Sequence, residues 1–283
     1  MRIIDKAVAG SGKTTRIQEY LAGLIRDGTH PSQIFCCTFT KKMAGELKER
    51  LNGMPNIDTI HGMCLRIISE HKEVIGYERI IMIDENLETS IIKGIIYDCG
   101  LKKITLKSFR SHVALFLAGK GIIDRSLSNA VNVYMQKMKG YGYISYDMCE
   151  NFALYIIKQI GLKVKYLIVD EFQDSSAIEY DIVINYGENI YVAGDRMQSI
   201  YSFRGAEPSI LESFQQGADS VRNSNQSWRC PLSICKVANV IIKEESGSGA
   251  LMLSSQNSPV NVTVDFVDMY VTPIEGVVAK YLK

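Results

Sequence analysis

The chain has 283 residues, 46% of them hydrophobic and 22% charged, and its 32 basic side chains against 31 acidic ones leave a net charge of +1. This is the composition of a soluble globular protein with one large domain or two ordinary ones, and it excludes a global basic field as the basis of nucleic-acid binding. Seven cysteines without a CxxC pair or a Cys/His cluster of zinc spacing, and no run near the roughly 18 apolar residues of a membrane span, exclude a zinc scaffold and a membrane anchor and predict a reducing, cytoplasmic setting.

The chain opens with "RIIDKAVA", where Asp5 and Lys6 break the apolar run too early for a signal peptide. The stretch reads as a buried strand and runs into "AVAGSGKTT", Ala7 to Thr15, which precedes a helical pattern from Thr14 to Arg26. Strand, glycine-rich loop, then helix is the context of a phosphate loop, here with Ala7 where the strict pattern has Gly. Its backbone amides and the helix N-terminus suit phosphates. Lys13 is placed to reach the β- and γ-phosphates and the Thr14 hydroxyl to ligate Mg²⁺. Ala9, Gly10, Ser11, Gly12, Lys13, Thr14, Thr15 and Arg16 form the predicted nucleotide-binding set.

"QIFCCTFT" reads as a second buried strand, followed by a helix from Lys41 to Leu51. From about Glu70 to Lys163 the pattern is mostly helical and predicts a subdomain inserted between strands. Within it, Tyr143 to Ile157 reads as a structural helix with Asp147 as its cap. "KYLIVD" and "NIYVAGD" are two further buried strands, separated by a helix from Ser176 to Asn185. Strand, loop and helix repeated this way predict an α/β fold with a mostly parallel sheet and functional loops at the strands' carboxyl ends. Past Trp228 come a helix ("PLSICKVANVIIKE"), a Ser/Gly-rich loop, the alternating strand "VNVTVDFV" and a short final helix, read as the start of a second α/β domain.

"YLIVDEFQD" delivers Asp170 and Glu171 at the end of a strand. An acidic pair there is often a solvated turn. Beside a phosphate loop it predicts Asp170 as the Mg²⁺ carboxylate and Glu171 as the base that activates water.

"DEFQD" with "GDRMQSIYSFRGAEP" (Gly194 to Pro208) resembles the UvrD/Rep/PcrA family of superfamily 1 DNA helicases. "TFTKKMAGELKERL" and "TIHGMCLRII" resemble the family's two DNA-contacting motifs of the first motor domain, and "SWRCPLSICKVAN" the motif that opens the second. The resemblance implies RecA-like motor folds. Residues 1–69 and 164–225 would form the first ATP-binding domain, 70–163 the inserted helical subdomain, and 226–283 the start of a second, incomplete RecA-like domain. It implies ATP and Mg²⁺ as cofactors and single-stranded DNA as partner. Gln198 would couple to the γ-phosphate and Arg229 would extend to it, completing a catalytic set with Lys13 and Glu171. Trp228 either stacks on adenine or anchors a core at a domain junction. Phe39, Thr40, Thr59, His61, Tyr201, Phe203 and Arg204 would line the DNA path, aromatic faces stacking on bases. For His61 a purely structural role stays open.

Almost nothing precedes the first strand, and only Met1 to Lys6 is available where the family carries an upstream adenine-reading glutamine, so relaxed base selectivity is expected. Two readings of function remain: an ATP-driven helicase or translocase, moving 3′ to 5′ by resemblance, or a half-motor that binds DNA or a partner under nucleotide control. Either accommodates a second polypeptide that supplies the rest of the second motor domain.

Overall fold

The structure, a computed structural model, describes residues 1–51, 56–119, 124–201, 205–207, 209–246 and 251–256. Among them the chain divides into two compact units, Met1–Ala7 with Gly12–Ser224, and Val8–Ser11 with Asn225–Lys283.

The first unit is an α/β fold built on a parallel sheet. Its strands are β1 (Arg2–Ala7), β2 (Ile34–Thr38), β3 (Ile57–Thr59), β6 (Val164–Val169), β7 (Gly187–Gly194) and β8 (Ser220–Ser224), in the order β3-β2-β6-β7-β1-β8. The helices following these strands are α1 (Lys13–Arg26), α2 (Lys41–Arg50), α3 (Ile60–Glu70), α8 (Ala177–Tyr186) and α9 (Ile210–Gln216). Between α3 and β6 lie α4 (Glu85–Asp98), α5 (Leu106–Leu117), α6 (Arg125–Tyr141) and α7 (Tyr146–Ile160), with a small parallel pair, β4 (Ile81–Met82) and β5 (Tyr143–Ile144). The four strands read from the sequence are β1, β2, β6 and β7. The structure adds β3 and β8 at the two edges.

Strand side chains alternate between two covered faces, which is why the central strands read as unbroken apolar runs. Ile34, Cys36, Ile168, Tyr191 and Ala193 pack with Ile17 and Leu21 of α1 and Ala44 and Leu47 of α2. Their neighbours Phe35, Cys37, Leu167, Val169, Ile190 and Val192 belong to the opposite, larger core. That core continues through α3, α7 and α8 into the inserted helices, where Phe109 and Tyr134 are fully buried. Cys36, Cys37, Cys64 and Cys149 are free and buried within these cores, acting as small hydrophobes.

Helix starts follow the short polar residues that the sequence supplies. Thr40, Thr59, Asp84, Thr105, Asp124 and Ser176 each accept a backbone N–H of the first turn. One expectation is corrected: Ser145, not Asp147, is the N-cap of α7, and Asp147 is the second residue of the helix, within its first turn. Asp147 follows Tyr146 rather than preceding the first helical residue, so its carboxylate meets the helix dipole instead of the cap position.

The second unit holds the parallel pair β9 (Gln226–Pro231) and β10 (Leu253–Gln256) with α10 (Leu232–Ser246). Val8 packs there with Cys235, Ile242 and Met252. The strand read at "VNVTVDFV" and the final helix lie outside the described residues. Among the described residues no helix is long and apolar enough to cross a membrane.

Candidate functional site

Three neighbouring strands of the first unit, β6, β7 and β1, end side by side, and each is followed by one of the sequence-selected segments. α1 begins at Lys13 directly behind Gly12, whose φ of 84° is left-handed and offers no side-chain cap. The first turn of α1 contains no acidic residue and no side chain caps it, so its amides and the positive end of the helix dipole are suited to an anion. Lys13 is only 8% exposed, and its Nζ donates to Glu171 Oε2 at 3.0 Å. Thr14 is half-buried beside it and Thr15 is exposed.

Glu171 has a φ of 52°, the one positive value outside glycine among the described residues. A non-glycine residue held left-handed costs on the order of 1–3 kcal/mol and is found where the surroundings dictate the geometry. Here Asp170 and Glu171 leave β6 in a tight turn: Asp170 N–H donates to Cys37 O at 2.9 Å, and Glu171 N–H to Asp170 Oδ1 at 2.9 Å. Asp170 is 3% exposed. Burial, then the charge of Glu171, push its carboxyl up to about 6, with Lys13 pulling the other way. A buried carboxylate held this far from its ordinary value is stabilised by a cation beside it.

Arg16 donates to Asp5 through Nε at 2.6 Å and Nη2 at 3.3 Å. Asp5 lies fully buried in β1 and also accepts the Tyr191 hydroxyl at 2.9 Å. Its other terminal nitrogen, Nη1, lies 3.7 Å from where a Cβ on Gly12 would sit. Gln198 closes a short helical turn after β7 and donates to Asp195 Oδ2 at 2.6 Å.

The described residues expected to contact DNA lie at or after the carboxyl ends of β2, β3 and β7. The rings of Phe39 and Tyr201 meet at 4.5 Å between centroids. Thr40 and Thr59 are N-caps, their oxygens accepting from Met43 N–H at 3.2 Å and Gly62 N–H at 3.0 Å, which leaves each hydroxyl proton for an outside acceptor. His61 stacks on Tyr146 at 4.3 Å, and burial, then the charge of Lys41, lower its pKa, with Asp58 pulling the other way. Its Nε2 is buried without a hydrogen-bond partner. Phe203 and Arg204 lie outside the described residues.

A cavity of about 540 Å³ is lined by Phe39, Thr59, His61 and Tyr146 together with Asp170 and Glu171. Asp147, Glu150, Asp174 and Glu179 also face it, so one wall is strongly acidic. In the second unit, Ser11 is buried, and Gly10 has a φ of 71° with its carbonyl accepting Trp228 N–H at 2.9 Å. A Cβ on Gly10 would lie 2.5 Å from Arg229 Cβ, so only glycine fits. Ala9 packs at the edge of that unit's core. Trp228 is 63% exposed, which removes the core-anchor reading, and Arg229 is exposed on β9.

Sequence reading passed over Asp5, Gln173, Asp174 and Tyr146. Gln173 and Asp174 sit inside the quoted "DEFQD", but nothing in a four-residue spacing says which side chains turn inward. Asp5 was masked by its use as evidence against a signal peptide.

The UvrD/REP helicase N-terminal domain family matches residues 3–142 and 124–219 of this chain. The ATP-dependent DNA helicase PcrA of Bacillus subtilis (strain 168) is 30% identical over 286 residues, covering 89% of this chain and 39% of that protein. PcrA of Staphylococcus epidermidis is 29% identical, and that of Staphylococcus aureus (strain Mu50 / ATCC 700699) 28%, each covering 86% of this chain and 38% of the relative. The chain thus spans about two fifths of the length of these relatives.

Proposed function

The chain belongs to the UvrD/REP helicase family, and from that premise we propose that it binds ATP with Mg²⁺, hydrolyses it, and couples hydrolysis to movement on single-stranded DNA. The observation that carries the reading is the shared cavity, in which the carboxylates of Asp170 and Glu171 and the aromatic groups Phe39 and His61 line one space. An event at either end of that space is felt at the other without a long relay.

The residues fit the cofactors. A hydroxyl at Thr14 and a buried carboxylate at Asp170 are hard oxygen donors of the kind Mg²⁺ takes. Among the described residues no group of three or more His, Cys, Asp or Glu is arranged to hold a metal. When bound, Mg²⁺ would offset charge on the transferring phosphoryl group. Lys13, now on Glu171, turns to the phosphates, and Glu171 is freed to accept a proton from the attacking water. Arg229 is assigned to the γ-phosphate and Trp228 to the base. Phe39 and Tyr201 stack on bases, while Thr40 and Thr59 donate to phosphate oxygens. Movement is 3′ to 5′, and the further arginine and DNA contacts it requires come from a second motor domain, in the same polypeptide or in a partner.

Steady-state ATP hydrolysis with and without single-stranded DNA tests the reading, with Lys13→Ala and Glu171→Gln alongside. Stimulation by DNA that both variants lose supports it. Background hydrolysis with intact nucleotide binding would make the chain a nucleotide-gated DNA binder instead.

A further inference from the structure

Gln173 has no role in the mechanism so far, yet it is 1% exposed and every polar atom of its side chain is used. Its Nε2 donates to Glu171 Oε2 at 3.0 Å, the same oxygen that Lys13 holds, and to Asp174 Oδ2 at 3.1 Å. Its Oε1 accepts Asp195 N–H at 3.0 Å, and its main-chain carbonyl accepts the Ser199 hydroxyl at 3.2 Å. The amide orientation follows from these partners, since a carboxylate needs the nitrogen and a backbone N–H needs the oxygen. Gly194 makes the approach possible: a Cβ there would lie 2.6 Å from Gln173 Oε1.

One buried amide thus bridges the base after β6 to the segment after β7. That segment carries Gln198, bonded to Asp195, and ends at Tyr201 on the ring of Phe39. Lys13 and Gln173 are the two side chains that donate to Glu171 among the described residues, so when Lys13 turns to phosphate Gln173 is the one that remains. We propose that Gln173 is the positioning residue that holds Glu171 in its left-handed, water-facing geometry and ties that geometry to the 195–201 segment leading to the DNA-stacking ring. The proposal deepens the ATPase reading and rests on it.

Two variants separate its parts. Gln173→Met keeps the shape and removes all three side-chain hydrogen bonds, to Glu171, Asp174 and Asp195. Gln173→Glu keeps an acceptor for Asp195 N–H and removes the donor to Glu171. In Gln173→Met, kcat of DNA-stimulated hydrolysis should fall about 10- to 100-fold, the scale of a misplaced catalytic group. KM and the affinity for a fluorescent ATP analogue should stay within about twofold, and amide hydrogen exchange at Asp195 should quicken about tenfold or more. Gln173→Glu should restore slow exchange at Asp195 but not turnover. A merely structural role predicts instead that kcat and nucleotide affinity fall together with the melting temperature.

Wild-type kcat in Gln173→Met overturns the proposal, as does unchanged exchange at Asp195. If the unmodified chain shows no hydrolysis, the ATPase reading fails separately. The bridge between Glu171 and the 195–201 segment is then judged by exchange alone, supported if Gln173→Met accelerates it and refuted if not.

Discussion

Removing Arg16 tests whether the pair beneath the phosphate loop holds the first unit together. Asp5 is fully buried in β1, and its charge is answered by Arg16 through Nε at 2.6 Å and Nη2 at 3.3 Å, and by the Tyr191 hydroxyl at 2.9 Å. In Arg16→Met the apolar stem is kept while Asp5 retains the one Tyr191 bond. Removing one partner of a buried ion pair costs about 3–5 kcal/mol, mostly for the charge left behind. The surviving tyrosine bond places this case near the lower figure, because a hydrogen bond to a charged group contributes about 1.5–3 kcal/mol. At roughly 2–4 °C per kcal/mol for a unit of this size, a loss of about 3 kcal/mol should lower the melting temperature by about 6–12 °C. Far-UV circular dichroism during urea and thermal unfolding is the assay, because the single tryptophan, Trp228, reports on the second unit. Adding Asp5→Asn should recover about 1–3 kcal/mol by removing the uncompensated charge. A loss below about 1 kcal/mol in Arg16→Met, with no recovery in the double variant, would refute the reasoning.

Other outcomes follow from single contacts. Glu171→Gln should lower ATP hydrolysis by about 10²- to 10⁴-fold while an ATP analogue still binds, measured by steady-state turnover and equilibrium titration. Phe39→Ala should weaken single-stranded DNA binding by roughly 5- to 150-fold, the equivalent of about 1–3 kcal/mol for one stacked base, in fluorescence anisotropy at fixed salt. Glu150 is pushed from 4.5 up to about 8 by burial, then by Glu179 and Asp147. The folded state therefore binds a proton the unfolded chain has released, so stability is full below about pH 4.5 and falls until about pH 8. Glu150→Gln should remove that decline in urea unfolding across the same range, and an unchanged profile would count against it. In the inserted helices, the buried Tyr134 hydroxyl donates to Glu88 at 2.9 Å and Arg110 pairs with the same carboxylate at 3.0 Å. Tyr134→Phe should destabilise by about 1–3 kcal/mol in the same assay.

Which strands were legible depended on burial. β1, β2, β6 and β7 lie inside the sheet, and covering on both faces leaves a continuous apolar signature. The edge strand β8, "SVRNS", is mostly exposed and is held by backbone pairing to β1, so its side chains carry no period to read. β3 has only three residues, too few for a pattern. The site divides the same way. Lys13, Asp170 and Glu171 are proposed from residue types at fixed offsets along the chain, and the fold brings Lys13 Nζ to 3.0 Å from Glu171.

By itself, then, the sequence determined the α/β class, the inserted helices, the glycine-rich loop after β1 and the family, all of which depend on local periodicity or short-range spacing. Only the tertiary structure decided which partner each polar side chain takes. Arg16 turns to Asp5 although the two are eleven residues apart, and Thr40 and Thr59 serve helix caps while they face the cavity. Gln173 reaches Asp195 and Glu171 at once because β6 and β7 end side by side. A hydrogen bond forms or fails over a few tenths of an ångström, and distances between strands far apart in sequence are set by the packed sheet.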